Sequence, residues 1–238
     1  MAPDDRPSPK KGRLFVVATP IGNLEDITLR ALRILRDVEA VACEDTRRTV
    51  KIFNSHGIKK RLISYYQPHE SRRIPQILSL LESGRDIALV TDAGTPAISD
   101  PGYPLLRDAL DRGIEVIPIP GPCALTAAIS ASGLPAHRFL FLGFPPPKAA
   151  GQKKLLESLA GEKGTLVFYL PARKAANFLE AVRDVLGDRP VVIARELTKI
   201  HEEFIRGSAE SLAEESRLGQ LKGETVVLIG GAGRSARE

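Results

Sequence analysis

Short apolar runs alternate with segments of helical periodicity along the first half of the chain. Five apolar runs predict strands, at residues 14–18, 41–43, 62–65, 87–91 and 116–119. Between them, apolar positions recur at helical spacing in residues 28–38, 46–55, 74–82 and 105–110. Strands that alternate with helices are joined by crossovers and form a mainly parallel sheet. We therefore predict an N-terminal α/β domain over residues 13–120, with helices flanking a mainly parallel sheet.

The second half has a less regular pattern. Its apolar runs predict strands at residues 139–142, 165–170, 191–194, 204–205 and 225–229. Helical patterns lie between them, at residues 124–132, 153–160, 175–186 and 208–216. Several strands follow one another without a full crossover, which favours antiparallel pairs. We predict a C-terminal mixed α/β domain over residues 121–230, and disordered tails at residues 1–12 and 231–238.

The loop that follows the fourth predicted strand is unusually long. After residue 90 the chain reads T-D-A-G-T-P-A-I-S-D-P-G, and a helical pattern begins only beyond it. Connections between a strand and a helix usually span about two to six residues. In open α/β sheets, ligands bind beyond the carboxyl ends of the strands. The segment is therefore predicted to bind a ligand, and a plain connection is the alternative.

Two further glycine–proline loops follow predicted strands, T-P-I-G-N-L at residues 19–24 and I-P-G-P-C-A at residues 119–124. No lysine lies in any of the three loops, which favours an adenosine-type ligand over free phosphates. Asp92 and Asp100 are suited to accept hydrogen bonds from such a ligand, or else to cap local turns. The dinucleotide and Walker-type glycine motifs are absent, as are cysteine and histidine clusters with metal-ligand spacing, and we predict no metal site.

Charge and cysteine usage refine the functional class. The net charge of +5 arises from 34 basic and 29 acidic residues. Basic residues concentrate between residues 47 and 73, which indicates a phosphate-facing patch, with a solvated basic surface as the alternative. Cys43 and Cys123 show no redox or metal spacing, and no apolar run approaches the roughly 20 residues of a membrane span. We therefore expect a cytoplasmic protein.

Five segments carry a resemblance to a known family, namely T-P-I-G-N-L-E-D-I-T-L-R-A, E-D-T-R-R-T, T-D-A-G-T-P-A-I-S-D-P-G-Y-P-L, P-G-P-C-A-L-T-A-A-I-S-A-S-G-L-P and A-R-E-L-T-K-I-H-E-E. They resemble the ribosomal RNA small subunit methyltransferase I family, a bacterial branch of the tetrapyrrole methylase superfamily. The resemblance implies a two-domain α/β fold with S-adenosyl-L-methionine in a cleft between the domains, usually in a homodimer. It also implies 2′-O-methylation of a cytidine ribose in 16S ribosomal RNA, within the small ribosomal subunit.

Site residues follow from the same resemblance. It implies that the cofactor contacts Pro20, Gly22, Asp92, Gly94, Thr95, Cys123, Ala124, Leu170, Arg195 and Gly223. A ribose hydroxyl is a poor nucleophile, so a base or a cation must assist it. Candidates for that role are Glu44, Asp45, Glu196 and Lys199, each with a structural ion pair as the alternative.

The acceptor side is predicted from charge and aromatic residues. Arg47, Arg48, Arg72 and Arg73 are expected to contact RNA phosphates, which position RNA without reading its sequence. Tyr65 and Tyr66 are candidates for stacking on a splayed base, with core packing as the alternative for Tyr65. A precorrin-type C-methyltransferase and a non-catalytic, ribosome-associated RNA-binding factor remain as alternative functions.

Overall fold

The structure, a computed structural model, describes residues 10–66 and 70–233. The chain divides between Cys123 and Ala124 into two compact units, called unit 1 and unit 2 below. The predicted tails, residues 1–12 and 231–238, lie mostly outside the described residues. Of their described members, Gly12 donates its N–H to Leu81 O and Ala232 donates to Glu162 O. No helix in the described residues is long and apolar enough to cross a membrane.

Unit 1 is an α/β unit around a five-stranded sheet with strand order β3-β2-β4-β1-β5. All its pairings are parallel, which confirms the predicted sheet. Its elements are β1 (Leu14–Val17), α1 (Leu29–Asp37), β2 (Ala40–Cys43), α2 (Thr46–Ser55), β3 (Arg61–Ser64), α3 (Glu70–Glu82), β4 (Ile87–Val90), α4 (Tyr103–Asp111) and β5 (Val116–Ile119).

Both faces of this sheet are covered by helices. Successive strand side chains point to opposite faces, so Phe15 packs with α1 and α2 while Leu14 packs with α3 and α4. Burial on both faces explains why the strands are continuous apolar runs instead of alternating patterns. Pro118 lies in β5, an edge strand, where a missing N–H costs no central ladder bond.

Unit 2 has a mixed sheet with strand order β6-β7-β10-β8-β9. Strands β6 and β7 are parallel and the other pairs are antiparallel, as predicted. Its elements are α5 (Ala124–Ser132), β6 (Phe139–Gly143), α6 (Ala149–Ser158), β7 (Thr165–Pro171), α7 (Ala175–Leu186), β8 (Pro190–Arg195), β9 (Glu203–Ser208), α8 (Ala209–Ala213) and β10 (Glu224–Ile229).

Each sheet brings several loops to one edge. In unit 1 the neighbours β4, β1 and β5 are parallel, so the three glycine–proline loops leave the sheet side by side. In unit 2 the carboxyl ends of β6, β7 and β8 lie at the same edge as the amino ends of β9 and β10. We call these the unit 1 edge and the unit 2 edge.

Candidate functional site

The three glycine–proline loops of unit 1 are joined by hydrogen bonds. Thr19 and Gly94 exchange two backbone bonds of 2.9 Å each, which links the first loop to the second. Thr95 Oγ1 donates to Pro122 O at 3.3 Å, which links the second loop to the third. Thr19 Oγ1 also donates to Thr91 O at 3.1 Å. Loops that are distant in sequence therefore form one continuous surface of backbone groups.

The second loop holds strained backbone. Gly94 has φ +87°, while Ala97 and Ser99 adopt left-handed φ values of +67° and +62° without being glycine. Such residues cost about 1–3 kcal/mol each and persist where the surroundings enforce them. Thr91 Oγ1 is buried and has no hydrogen-bond partner among the described residues, a further cost of about 1–3 kcal/mol. Both features occur in the segment that the sequence predicts to bind a ligand.

Asp92, a predicted cofactor contact, is engaged within unit 1. Its carboxylate accepts a hydrogen bond from Asp45 N–H at 2.9 Å and pairs with Arg48 at 3.4 Å. Asp45 in turn caps α2 by accepting from Arg47 N–H at 2.8 Å, and it also binds the Arg47 guanidinium. These bonds from the Arg47 side chain and backbone lower the pKa of Asp45 to about 2. Asp92 therefore ties the loop after β4 to the start of α2.

Glu44 lies half-buried at the carboxyl end of β2, beside this network. Burial raises the pKa of Glu44, and the negative charge of Asp92 raises it further. Hydrogen bonding to the Asp92 backbone and the charge of Arg48 oppose the shift without cancelling it. A carboxylate with a raised pKa is a stronger proton acceptor than an ordinary surface glutamate.

The predicted RNA contacts differ in their surroundings. Arg47 is 85% exposed and Arg48 is 62% exposed, yet both already pair with carboxylates. Arg72 and Arg73 are exposed on the first turns of α3, where Arg73 donates to Gln76 at 3.2 Å. Helices α2 and α3 both begin at the unit 1 edge, so the four arginines share that edge.

The two tyrosines considered for stacking on a base differ in solvent exposure. Tyr65 is 1% exposed and belongs to the core that packs with α3 and α4, so the core-packing interpretation holds and its ring does not offer a stacking surface. Tyr66 is 42% exposed and stays a candidate.

The remaining predicted contacts of unit 1 lie in or beside its loops. Pro20 is buried and Gly22 is exposed, both in the loop after β1. Cys123 is the last residue of unit 1, and Ala124 begins α5 of unit 2. The other cysteine, Cys43, is buried in β2, where burial raises its thiol pKa to about 11. A thiol of that kind is protonated at neutral pH and is not a nucleophile.

Three predicted residues of unit 2 come together at the unit 2 edge. Leu170 O accepts from Thr225 Oγ1 at 2.6 Å, and Arg195 pairs with Thr225 across the sheet. Gly223 precedes β10 and accepts from Ala172 N–H at 2.9 Å. Strands β7, β10 and β8 are neighbours, so residues that are far apart in sequence share one end of the sheet.

Glu196 and Lys199 form a charged network at the same edge. Glu196 Oε1 accepts from Glu224 N–H and from Lys199 Nζ, both at 2.9 Å, and Lys199 Nζ also lies 3.1 Å from Glu224 Oε2. Burial alone would raise the pKa of Glu196, but these donors outweigh it and the pKa is lowered. For Lys199 the two carboxylates likewise outweigh burial, and its pKa is raised. Lys199 is therefore a cation at neutral pH and Glu196 a weak proton acceptor.

Sequence reasoning missed one exposed aromatic residue at the unit 2 edge. Phe144 is 60% exposed and follows β6, immediately before three prolines. The signal in the sequence is an aromatic residue at a strand's carboxyl end, followed by Pro-Pro-Pro-Lys.

Comparison with known proteins identifies the family to which this fold belongs. Residues 13–213 match the sequence family described as Tetrapyrrole (Corrin/Porphyrin) Methylases. The solved structure of the methyltransferase CobJ superposes with TM-score 0.70 at 21% identity, covering 93% of this chain and 95% of that one. The cobalt precorrin-4 methyltransferase CbiF gives TM-score 0.65 at 17% identity, covering 92% and 94%. The parallel unit with joined loops and the mixed unit thus define a tetrapyrrole methylase fold.

Sequence relatives narrow this class. A protein of Thermotoga maritima named Ribosomal RNA small subunit methyltransferase I is 44% identical over 220 residues, which cover 92% of this chain and 99% of the relative. One of the same name from Pseudomonas aeruginosa is 47% identical over 223 residues, covering 92% of this chain and 79% of the relative. The chain belongs to the ribosomal RNA small subunit methyltransferase I family of tetrapyrrole methylases.

Proposed function

We propose that this protein transfers a methyl group from S-adenosyl-L-methionine to the 2′-hydroxyl of a cytidine ribose in small-subunit ribosomal RNA. The observation that carries the proposal is 44% and 47% identity, over nearly the whole chain, to relatives whose names state small-subunit ribosomal RNA methylation. The solved structures of CobJ and CbiF are only 21% and 17% identical and support the fold alone. We further propose a cytoplasmic homodimer that acts on the assembled small subunit.

The joined loops of unit 1 fit such a cofactor. They present backbone N–H and C=O groups without a lysine, which suits a nucleoside better than a polyphosphate. Gly94 has no side chain, and a Cβ there would lie 3.5 Å from Ile21 Cγ2, within the space between the first two loops. We assign Pro20, Gly22, Gly94 and Thr95 to cofactor binding. When bound, S-adenosyl-L-methionine supplies a methyl group that its positive sulfur makes electrophilic.

We propose that the other residues of the cofactor site either contact the cofactor or position residues that do. Cys123 and Ala124 in unit 1 and unit 2, and Leu170 and Gly223 at the unit 2 edge, offer mainly backbone atoms. Arg195 is held by Lys222 O at 2.8 Å and by Glu203 at 3.5 Å, so its guanidinium has a fixed position. For Asp92 we propose a positioning role, since its carboxylate already binds Asp45 N–H and Arg48.

Glu44 is our candidate for the base. Its raised pKa favours accepting the ribose proton, while the lowered pKa of Glu196 disfavours the same role there. Lys199, a cation at neutral pH, is suited to stabilise negative charge on the acceptor and not to remove a proton. Arg47, Arg48, Arg72 and Arg73 are proposed as phosphate contacts, which position the RNA.

A direct assay tests the proposal. Cofactor carrying a labelled methyl group is offered in parallel to small ribosomal subunits, to naked small-subunit RNA and to a tetrapyrrole precursor. We expect label in RNA, at a linkage that resists alkali because the ribose 2′-oxygen is blocked. Label in the tetrapyrrole alone would instead establish the C-methyltransferase alternative. Binding of RNA without transfer of label to any acceptor would favour the non-catalytic alternative.

A further inference from the structure

Phe144 is an exposed aromatic side chain that is held in a fixed orientation. Its ring meets Tyr169 edge-to-face, with centroids 5.7 Å apart and planes at 64°. Tyr169 in turn meets Phe141 at 4.9 Å, and its hydroxyl accepts from Leu125 N–H at 3.1 Å. A single exposed apolar residue is ordinary on a protein surface. Phe144 differs because a second aromatic ring, itself anchored at both ends, supports it.

The backbone around Phe144 is stiff. Gly143 before it has φ +63°, a conformation that favours glycine, and three prolines after it fix their own φ angles. Gln152 Nε2 donates to Pro146 O at 2.9 Å, which fastens the proline segment to α6. A rigid aromatic ring loses little conformational entropy on binding a partner. The loop is thus built to present the ring and not to bury it.

Four basic residues lie at the same edge of the sheet as this ring. Strands β6 and β7 are parallel neighbours, so the loops that follow them leave the unit 2 edge together. They carry the exposed side chains of Lys148, Arg173 and Lys174. Lys222, also exposed, lies at the same edge before β10. Within residues 10–66 and 70–233, none of these four cations forms an ion pair, whereas Lys199 and Arg195 beside them do.

An exposed aromatic ring and basic residues at one edge of a sheet fit one kind of partner. Single-stranded RNA offers bases that stack on aromatic rings and phosphates that pair with lysine and arginine. We propose that Phe144, with Lys148, Arg173 and Lys174, binds an unpaired base and its adjoining phosphates in the RNA substrate. This site consists of unit 2 residues alone, and the inference rests on the proposed RNA methyltransferase function.

Binding to RNA tests the inference. Affinity for a short fluorescent oligocytidylate is measured by anisotropy, single-stranded and then paired with its complement, for the full chain and its variants. Loss of one stacked base weakens binding roughly tenfold, so Phe144→Ala should lose about that factor on the single strand and little on the duplex. Phe144→Tyr retains an aromatic face and should bind like wild type. Phe139→Ala is the matched control, because Phe139 is 41% exposed at the opposite end of β6.

The salt dependence of RNA affinity distinguishes the stacking contribution of Phe144 from the electrostatic contribution of the basic residues. Each phosphate contact with a single strand adds about 0.7 to the slope of log affinity against log salt. Lys148→Ala should reduce that slope by about this amount, and Phe144→Ala should leave it unchanged. Equal loss in Phe144→Ala and Phe139→Ala would overturn the inference.

Methylation of RNA by the wild-type protein and RNA binding by Phe144→Ala, measured in parallel, test the proposed function and the stacking site separately. Failure of the wild-type protein to methylate small-subunit RNA would refute the proposed function itself. Wild-type methylation together with undiminished RNA binding by Phe144→Ala would refute only the stacking site. A change in sedimentation or in cofactor calorimetry for Phe144→Ala, with RNA affinity intact, would assign the ring to a second copy of the chain or to the cofactor and would also overturn it.

Discussion

The unit 1 edge and the unit 2 edge both carry candidate site residues, but they are built from different groups. At the unit 1 edge, backbone bonds between Thr19 and Gly94 and one hydroxyl bond from Thr95 join the loops. At the unit 2 edge, side-chain charges join the segments, with Glu196 accepting from Lys199 and from Glu224 N–H. The joined loops of the first edge should therefore respond to backbone changes, and the second edge to changes of charge as well as of backbone.

Backbone strain is common to both edges. In the described part of the chain, the non-glycine residues with left-handed φ are Ala97, Ser99, Glu196 and Thr198. Two of them lie in the loop after β4 and two in the segment after β8. Strain of this kind persists only where its surroundings enforce it, and it concentrates at functional sites. Both strained segments are among those that carry the family resemblance, and both contain residues that we propose for the site.

The largest expected effect is on methyl transfer, for which we propose Glu44 as the base. Removing a general base lowers the rate by about 10²- to 10⁴-fold, so Glu44→Gln should lose kcat by that factor. Because the pKa of Glu44 is raised, the wild-type rate should fall as pH drops through that raised value, and this acidic limb should vanish in the variant. A pH–rate profile of methyl transfer measures both, with calorimetry to confirm that cofactor still binds.

Glu196→Gln is the matched control for Glu44→Gln at the other edge. An amide oxygen still accepts from Glu224 N–H and Lys199, so the network survives in part. We expect a smaller loss of kcat and an intact acidic limb. If Glu44→Gln keeps the limb and Glu196→Gln loses it, the base belongs to unit 2.

The second expected effect is on the folding of unit 2. Gly223 has φ +97°, and a Cβ there would overlap the Glu196 carboxylate. A side chain in this conformation costs about 1–3 kcal/mol, and the overlap adds to that cost, so Gly223→Ala should lower the free energy of unfolding in urea by more than this amount. Gly133→Ala is the control, since Gly133 has φ +80° and a Cβ added there would have nothing within 4 Å. An equal loss in both variants would show that φ alone matters and the charged network does not.

Much of unit 1 follows from its sequence, because strands buried on both faces and intervening amphipathic helices are local patterns. The three loops were also visible, since glycine and proline mark irregular backbone. Their joining was not, because Thr19 and Gly94 meet through a parallel sheet whose strand order no local pattern encodes. The engagement of Asp92 by Asp45 N–H, 47 residues away, is likewise a tertiary fact.

Unit 2 was harder to predict for physical reasons. The pattern predicted only residues 204–205 as a strand, whereas β9 spans Glu203–Ser208, because this edge strand mixes polar with apolar residues. Helix α6 begins at Ala149 instead of residue 153, since its first turn has no apolar periodicity. The exposure of Phe144 depends on what packs beneath the ring, which sequence alone does not reveal.

A third effect concerns the backbone surface of unit 1. Gly94→Ala places a methyl group 3.5 Å from Ile21 Cγ2 at φ +87°. The left-handed conformation costs an alanine about 1–2 kcal/mol, and the methyl group also enters the space proposed for the cofactor. We expect weaker cofactor binding by calorimetry in addition to the loss of stability.

Gly57→Ala controls for strain in Gly94→Ala. Gly57 has φ +63° and an open surrounding, far from the loops in sequence. It should lose comparable stability and keep full cofactor affinity. Unchanged affinity in Gly94→Ala would remove Gly94 from the cofactor site.

The smallest effect is a difference in how the two glutamates couple folding to pH. The folded-state pKa of Glu44 is raised, so its contribution to stability is greatest at low pH and is lost as pH rises through that pKa. The folded-state pKa of Glu196 is lowered, so its contribution is present above the unfolded-state pKa and is lost as pH falls through the folded value.

Urea unfolding at acidic and neutral pH therefore distinguishes the two glutamates. Glu44→Gln should become more stable relative to wild type as pH rises, and Glu196→Gln less stable. Parallel trends in the two variants would contradict the contrast, because they would place both carboxylates in the same electrostatic environment.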